Sequence, residues 1–178
     1  MRGEGKRVSV QVSTDAVKRL RDRTGAGIMD CKRALEQVGG DEERAVELLR
    51  QKGLAAVEKR AGRTARQGLV DSYIHAGGRI GALVEVNCET DFVARSDTFR
   101  ELAHELAMQV AATAPQYLSE DDLPSDIEDA DPAEVCLLAQ PYIRDPKRTV
   151  RDLVVDAAAR TGENVVVRRF ARFELGGS

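Results

Sequence analysis

The sequence predicts an α+β fold: a small amino-terminal three-helix bundle, then an antiparallel sheet with helices packed on one face. Three observations carry that expectation. From Val17 to Leu49 apolar side chains recur at spacings of three and four, broken by Gly25, Gly39 and Gly40, which is the pattern of short helices joined by tight turns. From Gly68 the period drops to two across "GLVDSYIHAGGRIGALVEVNCETD", with Gly77-Gly78 in its middle. The chain then closes on "NVVVRRFARFEL", a β-branched and aromatic run. The expected units are an extension over residues 1–13, a helical domain over 14–53, a basic linker over 54–67 and an α+β core over 68–178.

Each element has a local reason. Ser13 or Thr14 can cap a first helix through Thr24, with Val17 and Leu20 on one side and Gly25 closing it. Ile28, Cys31, Ala34, Leu35 and Val38 form one face of a second helix, ended by Gly39-Gly40. Asp41 caps a third, with Glu42 and Glu43 in its first turn, where the helix dipole favours acids; Gly53 is expected to stop or bend it. "LAAVEKRAGRTARQG" is basic and poor in large apolar residues and reads as an exposed connecting segment. In the second unit Ser96 or Asp97 caps a long helix whose Phe99, Leu102, Ala103, Leu106 and Val110 stripe packs on the hairpin and stops near Ala114-Pro115. Residues 119–134 are acidic and broken by Pro124 and Pro132, as a surface loop would be. Thr149 caps a last helix that ends at Gly162.

Bulk properties narrow the function classes. A chain of 178 residues can bury a core in one small and one medium domain. It has no apolar run of membrane-spanning length and no signal-peptide block at its start, so a cytoplasmic location is expected, with no membrane partner. Cys31, Cys88 and Cys136 are odd in number and widely spaced, which suits reduced thiols better than disulfides or a zinc site. The net charge of −3 gives no global pull toward nucleic acid. Locally, Arg50, Lys52, Lys59, Arg60, Arg63 and Arg66 face only Glu58, but without interleaved aromatics for base stacking they read as a solvated face or a site for an acidic protein.

Catalytic constellations are thin. A Cys88–His75 pair across the hairpin is conceivable, although Cys88 suits a small buried apolar position; Glu89 with Asp91, or Asp121 with Asp122, lack metal-loop spacing. "GAG" at 25–27 and the Gly77-Gly78 pair fit neither phosphate-loop pattern, so no cofactor, no direct nucleotide binding and no enzymatic activity are expected. One residue stands out. Phe92 is a large aromatic in "NCETDFVARSD", a polar turn between a strand and a helix. From pattern alone it is either an exposed wedge or a lid folded over the hairpin–helix junction.

The run "VKRLRDRTGAGIMDCKRALEQVGGDEERAVELLRQKG" resembles the ubiquitin-associated-like amino-terminal domain of the bacterial translation elongation factor Ts family. "LVEVNCETDFVA" resembles that family's core and its TDFV motif, and the similarity continues through "HELAMQVAATAPQYL" to "GENVVVRRFARFELG". The resemblance implies a guanine-nucleotide exchange factor in translation elongation. Such a protein binds the GDP-bound GTPase elongation factor Tu, disturbs its magnesium and phosphate site, and promotes GDP release so that GTP can bind. It implies Thr90, Asp91, Phe92 and Val93 as the element acting near the GTPase's magnesium, and Arg19, Arg23, Ile28 and Met29 as contacts of an anchoring amino-terminal domain. The chain lacks the length for the two core repeats and coiled-coil insertion of long family members, so the resemblance implies the compact form, a homodimer through the core domain. A peptide-binding adaptor without exchange activity and a weak RNA binder are the other readings. The adaptor would bind irrespective of GDP, and the RNA binder would show strong salt dependence.

Overall fold

A computed structural model describes residues 12–125 and 130–177, so most of the expected extension over 1–13 and the middle of the acidic loop lie outside the described residues. The chain divides into two compact units at Ala56/Val57.

The first unit holds helices α1 (Thr14–Thr24), α2 (Ile28–Gln37) and most of α3 (Glu42–Glu58). Ser13 is the cap of α1, its hydroxyl accepting from the Ala16 N–H at 3.2 Å, and Gly25 ends that helix in the left-handed region. Val17, Leu20, Cys31, Ala34, Leu35 and Ala45 form the core. Gly53 does not stop α3, which runs on to Glu58. A mid-helix glycine costs about 1 kcal/mol relative to alanine, and the Leu-Ala-Ala that follows supplies good helix formers, with no proline before Glu58.

The second unit is built on a three-stranded antiparallel sheet in the order β1 (Gln67–Ile74), β2 (Ile80–Cys88), β5 (Val166–Glu174). β1 and β2 pair from Gln67↔Cys88 to Ile74↔Gly81 around the Gly77-Gly78 turn, whose residues have φ of 92° and 68°. Gly68 is obligatory. With φ at 147°, a Cβ there would sit 2.1 Å from the Val86 carbonyl oxygen. Helix α5 (Asp97–Thr113) lays Phe99, Leu102, Ala103, Leu106 and Val110 in one core with Ala82, Val84 and Val86 of the sheet, as the stripe predicts. Ala114 ends α5 in the left-handed region just before Pro115. Helix α7 (Val150–Thr161) joins the same core, capped reciprocally by Thr149 and Asp152 and ended by Gly162.

Two features were not expected from sequence. Beyond a single helical turn, α6 (Pro132–Val135), the chain forms a small ladder of β3 (Pro141–Tyr142) with β4 (Asp145–Thr149). Buried Gln109 of α5 holds it, donating to Gln140 Oε1 and the Pro141 carbonyl and accepting from the Ile143 N–H. The basic segment over 54–67 is also more tied down than an open linker. Val57 packs on the larger core, Arg60 donates to the Ala158 carbonyl, and the buried Asn164 amide donates to the carbonyls of Ala61 and Arg63. Among the described residues no helix is long and apolar enough to cross a membrane.

Candidate functional site: an exposed phenylalanine on a clasped turn

β2 ends at buried Cys88, and the polar turn read from the sequence takes helical form at once as α4 (Asp91–Ala94). Thr90 is the cap, with extended backbone and its hydroxyl oxygen accepting from the Val93 N–H at 3.3 Å. Ser96 then caps α5, accepting from the Phe99 N–H at 3.4 Å while donating to the Val93 carbonyl at 2.7 Å. Two capped turns in series leave little backbone freedom between residues 90 and 99.

That geometry sorts the four expected contact residues. Val93 faces inward at 6% exposure, within the sheet–helix core, so it roots the turn and offers a partner no surface. Asp91 points out and pairs with Arg95 at 2.7 Å on the same turn. Phe92 is 83% exposed, which excludes the lid arrangement. Thr90 is held from a distant part of the chain: its hydroxyl donates to Glu163 Oε1 at 2.6 Å, and its N–H and that of Glu89 both donate to Glu163 Oε2 at 3.0 Å. Glu163 was not legible from sequence. It follows Gly162, whose φ of 74° turns the chain out of α7, and nothing in "TGEN" names a partner some seventy residues earlier.

The amino-terminal candidates are differently placed. Ile28 and Met29 open α2 at 55% and 60% exposure, behind Gly27, which provides no side-chain cap. Arg19 and Arg23 are already engaged across the bundle, Arg19 with Glu42 at 2.5 Å and Arg23 with Glu43 at 2.9 Å. Both are surface ion pairs screened by solvent, so exchanging either for a partner's acid costs little.

The Cys88–His75 pair does not form. The register sets Cys88 opposite Gln67, at the far end of the hairpin from His75. Burial, reinforced by the Glu163 charge, pushes the Cys88 thiol up to about 11, away from thiolate chemistry. Among the described residues, no group of three or more His, Cys, Asp or Glu side chains is placed to hold a metal ion.

Comparison with known proteins places this architecture. Residues 44–132 match the family described as Elongation factor TS. The chain is 50% identical to the Elongation factor Ts of Caldanaerobacter subterraneus subsp. tengcongensis, with 93% of this chain and 97% of the relative covered. It is 49% identical to that of Carboxydothermus hydrogenoformans, covering 93% and 89%, and 46% identical to that of Coprothermobacter proteolyticus, covering 94% and 100%. Over nearly its whole length, therefore, the chain belongs to the elongation factor Ts family, and its role is that of a translation elongation factor.

Proposed function

We propose that the protein is a non-enzymatic guanine-nucleotide exchange factor for elongation factor Tu, working in the cytoplasm. The observation that carries the reading is Phe92, a rigid ring 83% exposed on a turn already capped and hydrogen-bonded before any partner arrives. GDP is held in a GTPase by a phosphate loop and a magnesium ion, so displacing the elements around either weakens the nucleotide without touching it. A preordered aromatic supplies large contact area with little side-chain entropy to lose. Asp91 beside it can leave Arg95 to engage donors that the wedge uncovers. Ile28 and Met29, with Arg19 and Arg23, form the anchoring contact of the amino-terminal bundle.

Thermodynamic reciprocity sets the scale: lowering nucleotide affinity by about three to five decades requires a coupling of roughly 4 to 7 kcal/mol, repaid as equal weakening of the complex by GDP. Stopped-flow release of fluorescent GDP from elongation factor Tu tests the reading. Release accelerated in proportion to added protein, with binding that excludes GDP, is the expected result; binding indifferent to GDP with no acceleration would mean an adaptor instead.

The homodimer is part of the same proposal. On the sheet face opposite α5, cross-strand register puts Val70, Ile74, Leu83 and Phe173 together, at 62%, 65%, 44% and 67% exposure. That apolar patch, bordered on the same face by Ser72 and the Glu85–Arg169 ion pair, calls for a covering layer, and a face meeting its own copy satisfies two-fold symmetry. Sedimentation at micromolar concentration should give about twice 19.5 kDa; a single 19.5 kDa species would contradict it.

A further inference from the structure

We propose that Glu163 is a positioning residue for exchange: its carboxylate locks the Thr90 turn in the orientation that presents Phe92. The inference rests on the exchange reading above. The Glu163 side chain accepts three hydrogen bonds, all from the turn, two from the backbone N–H groups of Glu89 and Thr90 and one from the Thr90 hydroxyl. An ionised carboxylate is the side chain for this, because it accepts at both oxygens and donates at neither. The Thr90 hydroxyl has one proton. By drawing that proton to Oε1, Glu163 leaves the hydroxyl lone pair directed at the Val93 N–H, so the carboxylate also fixes the polarity of the α4 cap.

The clasp is reciprocal. Glu89 Oε1 accepts from the Asn164 N–H at 2.7 Å, so each strand end offers a carboxylate to the other's backbone just past the last β2–β5 pair, Asn87↔Val166. Side chains continue the ladder where the strands diverge. Arg63 Nη1 approaches Glu89 at 3.5 Å and offsets part of the doubled negative charge. Asn164 in turn holds the carbonyls of Ala61 and Arg63, so the segment leading into β1 and the Phe92 turn share one hydrogen-bonded junction.

The role is separable from general folding because Phe92 reads it out. The experiment compares wild type, Glu163→Ala, Glu163→Gln, Phe92→Ala and both double variants in GDP release from elongation factor Tu. Amide hydrogen exchange at Glu89 and Thr90 is measured alongside. Glu163→Ala should lower the saturating release rate about tenfold, with half-saturation changed less than about twofold, because the anchoring contacts are untouched. Glu163→Gln, which keeps one acceptor and turns an amide donor toward the other site, should fall between. In the Phe92→Ala background either change should matter less than about twofold, since there is no ring left to position. The Glu89 and Thr90 amides should exchange faster in both Glu163 variants.

An equal loss in both backgrounds would overturn the proposal, as would unchanged protection of those amides. If Glu163→Ala does not fold, the near-isosteric Glu163→Gln carries the same comparisons. If Phe92→Ala alone releases GDP at the wild-type rate, the exchange role of Phe92 fails, and the clasp is then decided by the amide exchange.

Discussion

Ile28 with Met29, and Phe92, are large apolar side chains left on the surface of two different units, but the backbone beneath them is secured to different degrees. Ile28 and Met29 open α2 behind a glycine that offers no side-chain cap, and Arg19 and Arg23 of the same unit are held by surface ion pairs to Glu42 and Glu43. Phe92 sits on a turn capped by Thr90, followed by a second cap at Ser96, rooted by buried Val93 and clasped by Glu163. The first arrangement suits adaptable grip. The second suits a rigid ring delivered to a fixed place, since ordering already done in the free protein need not be offset by binding. Under the proposed exchange role, the first region sets how tightly the partner is held and the second what happens once it is bound.

The comparison breaks most visibly if the first unit is removed. A chain beginning at Val57, where the larger unit starts, keeps Val57 against its core and Asn164 on Ala61 and Arg63, and is expected to fold. Its affinity for elongation factor Tu, measured by calorimetry, should fall by about a hundredfold or more, roughly 2.7 kcal/mol; undiminished binding would remove the anchor role. Replacing Ile28 and Met29 together by alanine should weaken half-saturation by about tenfold while leaving the saturating release rate within about twofold, the reverse of the expectation for Phe92. Asp91→Ala should slow release by a few-fold, about 0.5 to 1 kcal/mol, because an exposed carboxylate paired with Arg95 is only partly committed before binding.

The smallest effect is a pH dependence confined to the bundle. The hydrogen bond from Arg19 holds the Glu42 carboxyl below the ordinary glutamate range. A depressed carboxylate contributes stability that is present above its unfolded value and lost as pH falls through the folded one. Acid titration followed by amide exchange in α1 and α3 should therefore show loosening toward low pH, and Glu42→Gln should flatten that dependence.

What was legible in the sequence follows from the range of the forces involved. The helices around Leu20 and Leu35, the Gly77-Gly78 hairpin and the caps at Ser13, Ser96 and Thr149 are set within four residues, and the structure has them where period and capping chemistry put them. Of the two effects expected of Gly53, the stop does not occur, because one glycine is a weak stop when strong helix formers follow. The β3–β4 ladder escaped notice because it is short, begins with proline and depends on Gln109, a polar residue inside an otherwise apolar stripe. At the site, Phe92 stood out by its chemistry alone, whereas the turn's helical form and the Glu163 clasp are set by a contact between distant segments that leaves no local signature.

The most direct measurement is the saturating rate of fluorescent GDP release from elongation factor Tu with Phe92→Ala in place of wild type, alongside the melting temperature of each. The expected result is a loss of one or more decades, at least about 1.4 kcal/mol of coupling, with melting shifted by no more than a few degrees, since removing a ring 83% exposed empties no core. A large drop in melting temperature with unchanged release per folded molecule would contradict it, and would make Phe92 part of the scaffold.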